Sequence, residues 1–230
     1  MLGIIGAMDE EVLEIKHALT DVSVETAAGM EFYCGKVNNK EVVVVRSGIG
    51  KVNAAVCSQI LVDKFGVDAI VNTGIAGSLR AEINIGDIVL SSDSVQHDMD
   101  ATGFGYVPGQ IPRMDTFAFP ADERLLNLAR ECCSRVNPDI QTFVGRVVSG
   151  DQFISDKKKK QWLIDKFDGS CTEMEGAAIA QVCYLNHIGC LIIRAISDKA
   201  DDSANMDYQE FEAKAIEHSV KLLLAMAAEY

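Results

Sequence analysis

The sequence predicts an α/β fold of three layers, with helices on both faces of a central mixed, largely parallel β-sheet, in a single domain spanning residues 1–230. Three observations predict it. Short apolar runs alternate with stretches of helical periodicity along the whole chain, the pattern of parallel strands joined by crossover helices. Two strand-like runs flank Asn38-Asn39 and read as a hairpin, which makes the sheet mixed. The chain has 230 residues, 48% of them hydrophobic, which is enough for one well-filled core.

The elements follow in order. LGIIG (2–6) is a buried-strand candidate, and DEEVLEIKHAL (9–19) sets Val12, Ile15 and Leu19 on one helical face. Asp9 and Glu10 suit a helix N-terminus through the dipole. MEFYCGKV (30–37) and KEVVVVRS (40–47) form the hairpin, and residues 50–64 are helical in character. DAIVNTG (68–74) and GDIVLSS (86–92) read as strands, 121–135 as a helix, VGRVVSGD (144–151) as a strand and 156–167 as a helix. SCTEME is extended, GAAIAQVCYLN (176–186) helical, and CLIIRAIS (190–197) a strong buried strand. The last helix runs from about Tyr208, with Ile216, Val220, Leu223 and Ala227 in register. The least regular stretch, 97–120, holds all but one of the four prolines; a loop of that length is usually functional or buried against a partner.

Composition excludes several classes. The net charge of −13 argues against a nucleic-acid or anionic-membrane surface, which needs clustered Lys and Arg. No apolar run approaches the roughly 18 residues of a membrane span, and the acidic start is unlike a secretory signal, so a cytoplasmic protein is expected. The seven cysteines include no C-x-x-C pair and the four histidines no H-E-x-x-H, so neither a disulfide framework nor a zinc site is suggested.

GIGKVN (48–53) fails as a phosphate loop, because Val45 stands where the first glycine belongs and Val52 follows Lys51 in place of Ser or Thr. It fails as a dinucleotide fingerprint because Asn53 occupies the third glycine position. A tight turn into a helix remains.

Acidic residues at strand ends are better candidates, since ligands of open α/β sheets bind beyond the carboxyl ends of the strands. Glu11 follows LGIIG, Glu173 and Glu175 lie in an extended segment before a helix, and Asp198 follows CLIIRAIS. Taken singly, Asp198 also reads as a cap and Glu11 as a solvated first-turn acid. In extended chain Glu173 and Glu175 project to one side and Met174 to the other. Such a pair either grips a ribose diol or is solvated near the following helix N-terminus, and spacing leaves both open.

GIIGAMDEEV (3–12), SGIGKVNAA (47–55), NTGIAGS (72–78), GDIVLS (86–91), SGDQFI (149–154), EMEGAAIA (173–180) and RAISDKAD (194–201) occur in this order. Together they resemble the bacterial 5′-methylthioadenosine/S-adenosylhomocysteine nucleosidases of the purine nucleoside phosphorylase-like superfamily, nearly end to end. The resemblance implies hydrolysis of an N-glycosidic bond, with 5′-deoxyadenosine a further substrate, and neither cofactor nor metal. It makes Asp198 the general acid toward purine N7, oriented by Ser197. Glu11 becomes the carboxylate that holds the attacking water, and Arg194 a further contact to that water. Glu175 and the Met174 backbone match the ribose clamp, while Glu173 has a less definite part. The Ile154 backbone and the Phe153 ring are assigned to adenine, and Ala76 and Gly77 to substrate binding.

By the same resemblance Met8, Ile49, Phe104, Tyr106 and Phe211 line the 5′-substituent pocket, with Ala101 near the sugar; core packing is the competing explanation for the apolar members. The irregular loop reaches a neighbouring subunit in this family, so Pro112 completes the partner's site in a homodimer. Ile75 departs from the serine that many members carry after NTG, which puts the position of the water in doubt. Two rivals remain: a phosphorylase of the same fold, and a non-catalytic nucleoside-binding protein.

Overall fold

Contiguous apolar runs build the middle of the sheet. β1 (Leu2–Gly6), β4 (Lys40–Arg46), β5 (Ala69–Asn72) and β11 (Gly189–Asp198) lie side by side in parallel, in the order β4-β1-β5-β11. Successive side chains enter opposite cores: Ile4, Val44, Val71 and Leu191 join one cluster, and Ile5, Val45, Ile70 and Ile192 the other. A strand covered on both faces has no need of polar alternation, hence the near-continuous Val/Ile/Leu runs. The structure, a computed structural model, describes residues 1–230 apart from the side chains of Asn205 and Gln209.

Helices cover both faces, as the sequence predicts. α1 (Asp9–His17), α3 (Glu123–Val136) and α6 (Ala204–Glu229) pack on one side. α2 (Lys51–Phe65) and α5 (Gly176–Asn186) pack on the other. α4 (Lys157–Phe167) closes a smaller cluster through Leu163 and Phe167. No described helix is long and apolar enough to cross a membrane.

β11 is the hinge of the architecture. Its first residues pair with β5; beyond them Ile193–Ala195 pair antiparallel with β7 (Ile88–Gln96), and Ala195–Asp198 pair parallel with β6 (Ile75–Ser78). β6 then pairs with β10 (Cys171–Glu173), β10 with β9 (Thr142–Ser149), and β9 with β7. The pairings therefore close a ring, β11-β6-β10-β9-β7, beside the open sheet. β10 runs antiparallel to β6, so its acids arrive from the opposite direction to β11 instead of sharing one carboxyl edge with it.

Several boundaries differ from the sequence prediction. β2 (Thr20–Ala27) was not anticipated: it is an edge strand with seven exposed residues and no buried face to pattern it. The run 68–74 ends as a strand at Asn72, and the short β6 follows after the Thr73-Gly74 break. β7 extends to Gln96, β9 begins at Thr142, α1 ends at His17 and α6 begins at Ala204. The irregular 97–120 stretch contains one 3-10 turn, Thr102–Phe104, and the two-residue strand β8 (Phe119–Pro120).

Candidate active site

One cavity of about 440 Å³ opens where the sheet meets the ring, and both Glu11 and Asp198 line it. Glu11 is the third residue of α1, and its carboxylate turns back over the turn after β1. Oε2 accepts the N–H groups of Ala7 (2.7 Å) and Met8 (3.0 Å), and Oε1 accepts that of Ile75 (3.2 Å). Reaching back to the N-cap N–H is the helix-start pattern of an N3 glutamate. The residue is 3% exposed, so it is no solvated first-turn acid. Burial pushes its pKa up, against the pull of Arg194 and the three N–H donors.

Asp198 ends β11, just past a bulge in the pairing with β6. Bulges re-aim side chains. Its Oδ1 accepts the Ala200 N–H at 2.7 Å, with Ala200 in the left-handed region (φ 50), and Oδ2 accepts the Ser197 hydroxyl at 2.9 Å. Burial raises its pKa above the ordinary carboxylate value, and those two donors oppose the rise. Gly77 leaves the room: a Cβ there would stand 2.7 Å from Asp198 Oδ1 and 2.8 Å from the Ala200 Cβ. Gly74 does the same beside Glu11, where a Cβ would run into the Arg194 guanidinium and the Glu11 carboxylate.

Glu173 and Glu175 both face Arg194, which is 1% exposed. Glu173 pairs directly with its Nη2, accepts the Ser149 hydroxyl, and takes the N–H groups of Glu175 (3.1 Å) and Gly176 (2.8 Å). With four donors on it, Glu173 serves as the anchor of the site. Glu175 is freer: Oε1 accepts the Gly50 N–H at 2.9 Å, and Oε2 lies 3.5 Å from Arg194 Nη2. Burial, partly offset by Arg194 and reinforced by Glu173, pushes its pKa up to about 7. Arg194 also donates to Asn72 Oδ1 at 2.5 Å and to the Ile75 carbonyl at 3.4 Å. Its own burial opposes the charge, but Glu173, Glu175 and Glu11 outweigh that and raise its pKa.

Ala76, Gly77, Met174, Phe153 and Ile154 line the cavity, with Met8 and Ile49 toward its rim. Phe153 meets Tyr208 edge-on, with ring centroids 6.0 Å apart and planes at 87°. Ile49 is 53% exposed, so it is not core. Five predicted residues are not brought to this lining: Ala101, Phe104, Tyr106, Pro112 and Phe211. Ala101 is buried elsewhere, Phe104 projects outward at 88% exposure, and Tyr106, Pro112 and Phe211 are half-buried outside the cavity. The first four belong to the 97–120 segment, which this one chain does not fold over the opening.

The sequence reading missed Tyr208, Gln152, Thr172 and Ala7, which also line the cavity. Tyr208 donates to Glu212 Oε1 at 2.9 Å and stands 3.5 Å from Met8 Sδ. An aromatic at the start of a long helix carried the only available signal for it; Ala7 and Thr172 carried none.

Three buried carboxyl groups, Glu11, Glu173 and Glu175, act on one guanidinium here, and a fourth, Asp198, lines the same cavity. Such a site attracts a developing cation and repels an anion. It also holds three carboxyl groups, Glu11, Asp198 and Glu175, whose pKa values burial has raised, and such a shift favours proton exchange.

Residues 1–228 match the family described as the phosphorylase superfamily. The 5′-methylthioadenosine/S-adenosylhomocysteine nucleosidase of Staphylococcus carnosus is 43% identical over 227 residues, 98% of each chain. The crystal structure of the nucleosidase of that name from Neisseria meningitidis, in complex with methylthio-immucillin-A, superposes with a TM-score of 0.95 at 33% identity, covering 100% of this chain and 99% of the other. A futalosine hydrolase of Helicobacter pylori superposes with a TM-score of 0.93 at 36% identity, covering 100% and 97%.

Proposed function

The chain belongs to the phosphorylase superfamily and, within it, to the 5′-methylthioadenosine/S-adenosylhomocysteine nucleosidases, and we propose that it hydrolyses the N-glycosidic bond of those two nucleosides, releasing adenine and the 5′-thio-substituted ribose. The observation that carries this reading is the placement of Glu11 and Asp198, both buried, on the walls of one nucleoside-sized cavity. The whole chain, 1–230, acts as one nucleosidase domain.

Adenine is a poor leaving group as an anion. Asp198, whose pKa burial raises, gives a proton to purine N7 as the bond breaks. The carboxylate it becomes is received by the Ser197 hydroxyl and the Ala200 N–H. The sugar passes through an oxocarbenium-like state, as in other glycoside cleavages, and the surrounding carboxylates stabilise that charge. Glu11, fixed by three N–H groups, holds the attacking water on the opposite side and takes its proton, which gives inversion at the anomeric carbon. Arg194 sets the charge balance of this wall. Glu175 and the Met174 backbone receive the ribose hydroxyls, Phe153 covers the base, and the Ile154 backbone meets its edge. Met8, with Tyr208 beside it, suits a thioether at the 5′ end.

Phosphate is the wrong nucleophile for this site. Asn72 and Thr73 stand where an anion-binding arginine is expected of a phosphorylase, and Arg194 is already bonded to Glu173.

A homodimer fits the surface. Ile49 forms an open rim of the cavity; Val52 (74% exposed) and Val56 lie on α2, and Tyr184 and Leu185 lie on α5, which packs beside it. A second copy seated there would cover this apolar face and bring its own 97–120 segment, with Pro112, toward the rim. Seven free cysteines suit a reducing, cytoplasmic setting.

The test is a phosphate-free panel of 5′-substituted adenosines, including 5′-methylthioadenosine, S-adenosylhomocysteine, 5′-deoxyadenosine and a futalosine-type nucleoside, scored for free base. Release of adenine from the first two in the absence of phosphate supports the reading; strictly phosphate-dependent cleavage to a sugar 1-phosphate, or binding without turnover, overturns it.

A further inference from the structure

Three segments far apart in the chain meet beside the cavity in a closed cycle of polar contacts. Lys51, the first residue of α2, places its Nζ 2.5 Å from Asp98 Oδ1 and 3.0 Å from Gln96 Oε1. The other oxygen of Asp98 accepts the Asp151 N–H at 3.0 Å. Asp151 in turn accepts the backbone N–H of Lys51 on its Oδ1 at 2.8 Å. The ion pair is largely shielded, with Lys51 and Asp98 side chains 18% and 17% exposed, unlike the open surface pair Lys64–Glu25 at 43% and 52%.

Two arms of this cycle carry the walls of the site. Lys51 follows Gly50, whose N–H holds Glu175, and Ile49, which lines the rim. Asp151 precedes Gln152, Phe153 and Ile154, which line the base end. Asp98 belongs to the segment leaving β7, and that segment is pressed onto the one leaving β9. The His97 N–H donates to the Ser149 carbonyl at 2.8 Å, and a Cβ at Gly150 would collide with the His97 ring.

We propose that Lys51, Asp98 and Asp151 form a positioning latch that sets the spacing between the turn at Ile49–Gly50, which holds Glu175, and the base-covering segment at Gln152–Ile154. The proposal rests on the nucleosidase reading of the cavity. None of the three is a catalytic residue; they act through the residues next to them. Opening the latch frees the base-covering segment, which weakens the grip on adenine in the ground state and the transition state alike. That is a loss of uniform binding, which raises KM and leaves kcat nearly unchanged.

The experiment compares wild type with Asp98→Ala, Asp98→Asn and Lys51→Arg. It measures KM and kcat for 5′-methylthioadenosine, the inhibition constant of adenine, and Tm. Asp98→Ala should raise both KM and the adenine constant about tenfold, the scale of coupling within one polar network, with kcat changed less than about threefold. Asp98→Asn keeps an acceptor for the Asp151 N–H but loses the charge facing Lys51, so its effect should be intermediate. Lys51→Arg keeps the ion pair and should stay within about twofold of wild type. A lowered Tm with unchanged KM and adenine constant in both Asp98 variants would show a merely structural role and overturn the latch. Wild-type protein that binds 5′-methylthioadenosine without releasing adenine would instead overturn the nucleosidase reading beneath it.

Discussion

Glu175 stands 3.5 Å from the Arg194 guanidinium, yet that guanidinium is already bonded to Glu173. One carboxylate is thus consumed in holding the site together and the other is left to meet a ligand. On the proposed function, the two like charges separated by one methionine divide into an anchor, Glu173, and a clamp, Glu175. Glu175→Gln should therefore lower kcat/KM for 5′-methylthioadenosine by roughly 10²-fold while the chain stays folded, since the hydroxyl contacts strengthen as the sugar gains charge. A 2′,3′-dideoxy substrate should lose the same factor with wild type and lose little more with the variant.

The raised pKa of Glu175 makes a stability prediction. Its carboxyl titrates near 4.5 when unfolded and at about 7 when folded. The folded state holds the proton more tightly, so this contribution is fully present below about pH 4.5 and is lost as pH rises through about 7. Thermal melts of the ligand-free protein should show wild type losing stability relative to Glu175→Gln across that window, by about 3 kcal/mol. Parallel curves for the two proteins would contradict it.

Gly77 is fixed by proximity. Gly77→Ala would force Asp198 or Ala200 to move by several tenths of an ångström. Adenine release should fall by about 10²-fold, the cost of a misplaced reacting group, with a destabilisation of about 1–3 kcal/mol. Activity near wild type would mean that Asp198 need not stand where it does.

Ile75 stands where the sequence resemblance leads one to expect serine, but its contact to Glu11 comes from the backbone. The Ile75 N–H holds Glu11 Oε1 whatever the side chain. Ile75→Ser should keep kcat/KM within about tenfold and cost about 2–5 kcal/mol of stability, because Ile75 is 8% exposed within a core cluster. Kinetics and denaturant melts on one preparation separate the two effects.

The fold was legible where burial was two-sided. VVVV in β4 and LIIRAIS in β11 read directly as strands because helices cover both faces. β2 was invisible because its edge position leaves no apolar pattern, and IAGS of β6 because one isoleucine followed by three small residues carries no period. At the site, the acids were visible as residues but not in their division of labour. Only the antiparallel entry of β10 shows that Glu173 points at Arg194. The 97–120 residues assigned to the pocket lie outside it, and the irregular sequence of that segment carries no period from which its path could be read.

The central claim is that Asp198 supplies a proton while Glu11 holds water across the same cavity. The most direct measurement is single-turnover release of adenine from 5′-methylthioadenosine in phosphate-free buffer made with ¹⁸O-water, by wild type and by Asp198→Asn. One ¹⁸O should appear on the released sugar, and the rate should be roughly 10²–10⁴-fold lower in the variant. A variant as fast as wild type, or a sugar carrying no label, would contradict it.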